Sequence, residues 1–298
     1  ASFGVMSRNK SLLLFPITTA ALTIFIGSLF LTPIVLQPSG HSYSQSAHWK
    51  EVGSRLFVEG EPTARDLAKG RTSSLQLTTQ AKACGVLFYF LSMFLATFFN
   101  VAFVHEIMNA LKGEPVSVAS GIRFAGTRIR VILMWTLFAG VVGMLIAQLE
   151  RKFGMFGSWV VRLLGAAWSV ASVFVIPVLV VQENIGPLEA LRSSAALIKK
   201  TWGEALGGYA GLQLGGIVTM FATILLLGGS VYLGVAHQQW KLMAAGFASW
   251  FVFIVAFSYA LSVASQVYLC ILYQYAAAGK TGEGFTPDML GSAWTPKS

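Results

Sequence analysis

Residues 84–104 read CGVLFYFLSMFLATFFNVAFV, a run dense in Phe and Leu that contains no charged side chain. A helix needs about 20 mostly apolar residues to cross the hydrocarbon core of a membrane, which is about 30 Å thick. The run meets that length, and no soluble part of the chain is large enough to cover it. We therefore predict a transmembrane helix over this stretch.

Five further stretches share this character, and the composition of the whole chain agrees with them. Of the 298 residues, 55% are hydrophobic and 11% are charged, whereas soluble domains carry about 25% charged residues. The mean hydropathy is +0.67. The sequence predicts an all-α, polytopic transmembrane helical bundle that forms a single integral membrane domain over residues 1–298. The six predicted spans are 12–36, 84–104, 131–149, 159–181, 207–235 and 243–273.

The distribution of lysine and arginine predicts the orientation of this bundle. Both termini and the loops after spans two and four form one side, and those two loops are rich in basic residues. An excess of basic charge on short loops marks the cytoplasmic side. We therefore predict that both termini are cytoplasmic. The long loop at 37–83 would lie outside, where it is expected to cap the bundle or reach a partner. Its second half, 64–81, is predicted to form a polar helix that leads into span two.

Two cytoplasmic segments have the apolar periodicity of surface helices, predicted at 115–130 and 187–202. Pro187 suits the first turn of a helix, because the amide it lacks would have no helical partner there. The apolar positions recur at spacings of three and four, which places them on one helix face. They are Pro115, Val118, Ile122, Ala125 and Ile129 in the first segment, and Leu188, Leu191, Ala195, Ile198 and Trp202 in the second. Each helix would lie on the inner membrane surface or against its own bundle.

The two stripes align at an offset of 73 residues, which predicts a duplicated unit of span, surface helix and span. Glu183, near the start of the second segment, is expected to pair with Arg192 and hold the helix to the mouth of span four, with gating as the alternative. Pro177 in that span is likewise predicted to have either a structural or a gating role. The basic residues are predicted to bind anionic lipids. These residues are Arg123, Arg128, Arg130, Lys199 and Lys200.

Three motifs resemble those of a family of uncharacterised bacterial six-helix membrane proteins. They are RNKSLLLFP at 8–16, VIPVLVVQENIGP at 175–187, and the continuation EALRSSA at 189–195 with KTWG at 200–203. A more distant similarity is to the membrane domain of glycerophosphodiester phosphodiesterases. The resemblance implies a helical bundle in a bacterial inner membrane and no known activity, since no segment corresponds to the catalytic domain of those enzymes.

Motifs for common chemistries do not occur. The four histidines lack the spacing of a metal site, and there is no phosphate-binding loop and no nucleophile elbow. The net charge of +9 is explained by basic residues beside anionic lipid, because no basic run with interleaved aromatic residues suggests nucleic acid. We predict a protein that is not an enzyme and that uses no cofactor and no metal.

Polar residues inside the spans are the candidates for a transport path. Arg162 in span four either extends toward the lipid headgroups, paired with Glu150, or lies at the mouth of a pore. Another set either lines a polar path or forms hydrogen bonds between helices; it comprises Asn100, Gln213 and Gln266. A third set recurs every fourth residue, which suits close helix packing or a subunit interface; it comprises Gly207, Gly211 and Gly215.

Two functions fit these patterns. The first is an oligomeric passive channel or permease, favoured by the polytopic architecture, the duplication and the polar residues in the spans. The second is a non-catalytic scaffold or accessory subunit that organises lipids or a partner complex. The basic amphipathic helices favour the scaffold, and so does the absence of mid-span carboxylates of the kind that coupled transporters use.

Overall fold

A computed structural model of the protein describes residues 8–36, 38–60, 70, 72–152, 157–200 and 202–278, and in the ninth helix it describes side chains from Gly216 onward. The described chain is helical apart from one two-stranded hairpin, which confirms the all-α prediction. After a 3₁₀ turn at Lys10–Leu13, the helices are α1 (Leu14–Val35), α2 (Ser46–Leu56), α3 (Thr79–Leu111), α4 (Val118–Thr127), α5 (Ile129–Lys152), α6 (Gly157–Ala171), α7 (Val175–Val181), α8 (Pro187–Lys200), α9 (Trp202–Ala236) and α10 (Trp240–Ala278).

Six segments of the described chain are long and apolar enough to cross a membrane. They are Ser11–Ile34, Thr79–Lys112, Ile129–Glu150, Trp159–Val181, Gly216–Ala236 and Trp240–Ala277. Each of them overlaps one of the six predicted stretches, which confirms a multi-pass helical architecture. Three of the helices exceed what a bilayer needs: α3 has 33 residues, α9 has 35 and α10 has 39. At about 1.5 Å per residue they measure about 50, 52 and 58 Å, against a hydrocarbon core of about 30 Å.

The fourth span is broken, because α6 ends at Ala171 and α7 begins at Val175. Pro177 is the third residue of α7, and it has no amide hydrogen to donate to the carbonyl four residues earlier. Its ring would also collide with that carbonyl, which belongs to Val173. The helix therefore turns at 172–174, and Pro177 has a structural role; a gating role stays a prediction.

Backbone packing divides the chain into two compact units, one of which is Thr18–Ala96. Within it, α2 is followed by the antiparallel strands β1 (Phe57–Gly60) and β2 (Ser74–Leu77). The strand at 74–77 contradicts the polar helix predicted over 64–81 at these positions, whereas residues 79–81 belong to α3. Residues 64–69 and 71 of the predicted helix lie outside the described residues. The two strands pair residue by residue along their whole length. A strand of four residues is too short to show a clear alternation of apolar and polar residues, so the sequence did not reveal it.

The other unit comprises the chain up to Ile17 and from Thr97 onward, and α8 is at its centre. Helix α8 packs against α5, α6, α7 and α10. The buried apolar residues of this unit concentrate around α8 and around the end of α3. We call this region the packed base. Its first half consists of residues 97–111 of α3, helix α4 and residues 128–130. Its second half consists of α7, α8, the connector between them and residues 263–275 of α10.

Helix α9 from residue 216 onward and the first part of α10, up to residue 262, form a helical hairpin. We call it the α9–α10 hairpin (residues 216–262). Its turn carries Gln238 in the left-handed region, with φ of 53°, and the Gln239 amide donates to the Gly234 carbonyl at 2.8 Å. The helices approach closely at glycines, where Gly246 lies against Ser230. Most other side chains of the hairpin are exposed, as expected where lipid replaces a protein core.

Candidate functional site

Glu106 is fully buried in the first half of the packed base. Its Oε2 accepts a hydrogen bond from the Ser117 amide at 2.8 Å, and Ser117 is the N-cap residue of α4. The amides at the start of a helix lack helical partners, so the carboxylate satisfies one polar group of the connector while it fixes α4 to α3. The other oxygen, Oε1, has no hydrogen-bond partner in the described part of the chain and lies 3.9 Å from Nε2 of His105.

Gly121 allows α4 to lie directly on α3. A Cβ atom at this position would stand 2.8 Å from the Ala102 carbonyl oxygen and 3.0 Å from Cγ of Glu106. It would also stand 2.9 Å from the ring of Phe15, which is itself buried. The neighbours include backbone, which cannot move aside as a flexible side chain can. Only glycine permits this approach.

An aromatic and cationic stack links the first half of the base to the second. The His105 ring lies parallel to the Phe124 ring, with centroids 3.7 Å apart. The Arg128 guanidinium stands 5.3 Å from the centre of the Phe124 ring and pairs with Glu183 at 3.1 Å. Arg128 is 13% exposed and Glu183 is 77% exposed. This pair joins the α4–α5 turn to the connector between α7 and α8.

The second half of the base is organised by the broken span. Phe174, at the break, donates its amide to Oγ of Ser194 at 3.0 Å, and both residues are buried. At the start of α8, Oε2 of Glu189 accepts from the Gly186 amide at 3.3 Å, which is half of a capping box just before Pro187. Side chains of α8 therefore satisfy backbone groups that the break and the connector leave free.

Two grooves lie on α6. The α6–α8 groove has a volume of about 640 Å³ and is lined by Leu163, Ala166, Ala167, Val170, Ala171, Ala195, Ile198 and Lys199. The α5–α6 groove has a volume of about 440 Å³ and is lined by Val142, Leu145, Ile146, Leu149, Leu164, Ala167, Trp168 and Ala171. Lys199 is the one charged residue among both linings.

The structure differs from two of the site predictions. Glu183 pairs with Arg128 and not with Arg192, because the connector at 182–186 places it beside the α4–α5 turn. Arg128 is therefore engaged within the base, unlike the exposed cations predicted with it as lipid ligands. Those exposed cations are Arg123, Arg130, Lys199 and Lys200.

The described candidates for a polar path lie on three different helices. Arg162 is exposed on α6, while Asn100 and Gln266 are half-buried on α3 and α10, with no hydrogen bond between these two described side chains. The remaining candidates lie in the part of α9 whose side chains are outside the described residues. These are Gln213, Gly207, Gly211 and Gly215.

The buried faces of α4 and α8 differ from the predicted apolar stripes. The buried positions are Gly121 and Ala125 in α4, and Ala190, Ser194 and Ile198 in α8. In contrast, Ile122, Ile129 and Leu188 are exposed. The buried faces still fit the predicted offset of 73 residues, since Gly121 aligns with Ser194 and Ala125 with Ile198. Small residues face the bundle because they let helix backbones approach.

Comparison with known proteins places these features in a family. Residues 81–285 match the model of a family of unknown function, DUF6159. The chain belongs to this family. The DUF6159 region starts within α3 and ends beyond α10, so it includes both grooves and both halves of the packed base. No curated protein and no solved structure matches the chain, so the distant similarity to phosphodiesterase membrane domains finds no support.

The roles of Glu106, Gly121 and Ser194 in the packed base were not predicted from the sequence. Glu106 is an isolated acid within an apolar run, and such an isolated acid near a helix end was the available signal for a buried, bonded carboxylate. For Gly121 and Ser194 the signal was weaker: each is a small residue in an amphipathic helix, and only its spatial neighbours give it a role.

Proposed function

We propose that this protein is a non-catalytic scaffold of the bacterial inner membrane that gathers anionic lipids around its packed base. The base and both termini are on the cytoplasmic side, and the segment at 37–83 is outside. One observation carries the proposal. Helix α8 is held against α5, α6, α7 and α10, yet Lys199 and Lys200 at its end stay exposed, and Lys199 lines an apolar groove.

Charge supports this function. Arg123 and Arg130 are exposed in the first half of the base, as Lys199 and Lys200 are in the second. A basic side chain near an anionic leaflet contributes about 1 kcal/mol of attraction, which weakens beyond a Debye length. Four such side chains, held by a rigid group of helices, would favour anionic over zwitterionic lipid in the surrounding shell.

The use of polar groups inside the base also supports a scaffold. Glu106 and Ser194 each bond the backbone of another segment, and Arg128 pairs with a connector. These groups dock helices onto each other, and the grooves beside them are lined almost entirely by apolar side chains. A rigid base with apolar grooves suits the binding of lipid better than the passage of a polar solute.

The test uses the purified protein in vesicles that contain spin-labelled phosphatidylglycerol or spin-labelled phosphatidylcholine. We expect the motionally restricted fraction to be larger for phosphatidylglycerol, and the same vesicles to retain small ions. Replacing the four exposed base cations by Gln is expected to remove the preference. The matched control replaces Lys50 and Lys241, which are exposed and predicted on the opposite side. An equal fraction for both lipids would reject the proposal.

The second candidate is an oligomeric passive channel or permease, and the broken fourth span favours it. Discontinuous helices build the binding sites of many transporters. In that case Arg162, Asn100, Gln213 and Gln266 line the path. Vesicles containing the protein would then conduct ions, and Arg162→Gln would change the ion selectivity. Vesicles that stay impermeable would remove this alternative.

A further inference from the structure

We propose that the α6–α8 groove binds one acyl chain of an anionic phospholipid, with the lipid phosphate paired to Lys199. This inference rests on the proposed function and deepens it: it names one lipid site within the larger shell. The site is defined by one face of α6, one face of α8 and the last turn of α8.

The floor of the groove is made by five residues of α6 at helical spacing. They are Leu163, Ala166, Ala167, Val170 and Ala171. The three alanines keep the floor low, so the groove remains open between the larger side chains of α6 and Ile198 of α8. Every atom that these side chains offer is apolar, and an apolar groove on a membrane-spanning helix is filled by hydrocarbon, which is the solvent there.

The dimensions fit a lipid chain. From Leu163 to Ala171 the axis of α6 rises about 12 Å, at about 1.5 Å per residue. One leaflet contributes about half of the 30 Å hydrocarbon core, or about 15 Å. The groove volume of about 640 Å³ also lies in the range of specific small-molecule sites. The length of the groove is therefore close to half the thickness of the hydrocarbon core, which is enough for part of one acyl chain.

Lys199 supplies the charge that selects the headgroup. It is exposed, it is the one polar side chain that lines the groove, and it takes part in none of the ion pairs between described residues. A lysine in the last turn of a helix also complements the helix dipole, which is a structural role. Lys200 shares that turn and that exposure but does not line the groove. A comparison of substitutions at the two lysines therefore distinguishes lipid recognition from the effect of the helix dipole.

The experiment measures lipid bound to the delipidated, detergent-solubilised protein by native mass spectrometry. The probes are dioleoylphosphatidylglycerol and dioleoylphosphatidylcholine. We expect one tightly bound phosphatidylglycerol, with Lys199→Gln weakening its binding about fivefold. Lys200→Gln should change binding less than twofold. Equal effects of the two substitutions would overturn the assignment of Lys199.

Filling the groove tests the acyl chain. Ala166→Phe should remove the bound lipid of either headgroup, whereas Ala256→Phe, on an exposed face of α10, should retain it. Because a large residue on α6 can impair folding, Lys199→Glu serves as a second variant: it should abolish the preference for phosphatidylglycerol and leave phosphatidylcholine binding unchanged. Retention of the lipid in a folded Ala166→Phe protein would overturn the site.

Failure of this inference can be told apart from failure of the scaffold function. If the groove holds no lipid but spin-labelled phosphatidylglycerol is still enriched around the protein, the single site is wrong and the scaffold stands. If neither effect is seen, both are wrong. Binding of phosphatidylglycerol and phosphatidylcholine with equal affinity would keep the groove as an acyl-chain site and overturn its headgroup selection.

Discussion

The packed base and the α9–α10 hairpin both contain many apolar side chains, yet they are held together in different ways. In the base, side chains such as Val101, Ile107 and Leu179 have no exposed surface. In the hairpin, Leu225 and Leu226 are 77% and 75% exposed. Lipid solvates apolar side chains as well as protein does, so membrane helices gain little from burying them. The hairpin depends on close contacts at glycines, whereas the base depends on packing and on bonded polar groups.

The largest expected effect tests the backbone contact in the base. Gly121→Ala places a methyl group 2.8 Å from the Ala102 carbonyl oxygen, and we expect the free energy of unfolding to fall by about 3 kcal/mol. Gly126→Ala is the control within the same helix, since nothing stands within 4 Å of its Cβ. SDS titration of both variants in mixed micelles measures the difference. Equal stability would mean that α4 does not lie on α3.

The next effect concerns a buried polar group. Ser194→Ala removes the acceptor for the Phe174 amide at the helix break, and we expect a loss of about 2 kcal/mol in the same titration. Ser193→Ala is the neighbouring control, because Ser193 is half-buried and accepts a longer bond, 3.3 Å, from Gln182. It should cost less than about 1 kcal/mol. A larger loss for Ser193→Ala would contradict the docking of α8 at the break.

The same methyl group should cost less in the hairpin than in the base. At Gly216, a Cβ atom meets only the tip of the Leu261 side chain, at 2.8 Å. That side chain can rotate toward lipid, so Gly216→Ala is expected to lower the free energy of unfolding by at most about 1 kcal/mol. Gly228→Ala, in open space, should be neutral or better. A loss at Gly216 as large as at Gly121 would erase the distinction between the regions.

The smallest expected effect is the coupling between the halves of the base. Because Glu183 is mostly exposed, a double-mutant cycle of Arg128→Gln and Glu183→Gln should give about 0.5 kcal/mol of coupling. Added salt should reduce that value. The matching cycle of Glu183 with Arg192 should give none. If Arg192 shows the stronger coupling, the pairing expected from sequence is the correct one.

The sequence predicted correctly those features that depend on local properties of the chain. Length and hydropathy predicted the six spans, and Pro187 marked the start of α8 as the structure has it. The face that α8 buries was not predictable in this way. The apolar positions include exposed Leu188, and the buried face carries Ala190 and Ser194. In a membrane setting, apolar surface can face lipid, so periodicity alone does not say which side touches protein.

What the sequence determined by itself is the membrane-spanning helical character, since chain length against bilayer thickness leaves few alternatives. Tertiary structure decided the rest: that Glu106 bonds the start of α4, that Glu183 meets Arg128, and that Lys199 borders an apolar groove. Each of these contacts joins residues on separate elements. Their pairing depends on how the helices cross, and no local pattern of residues specifies that geometry.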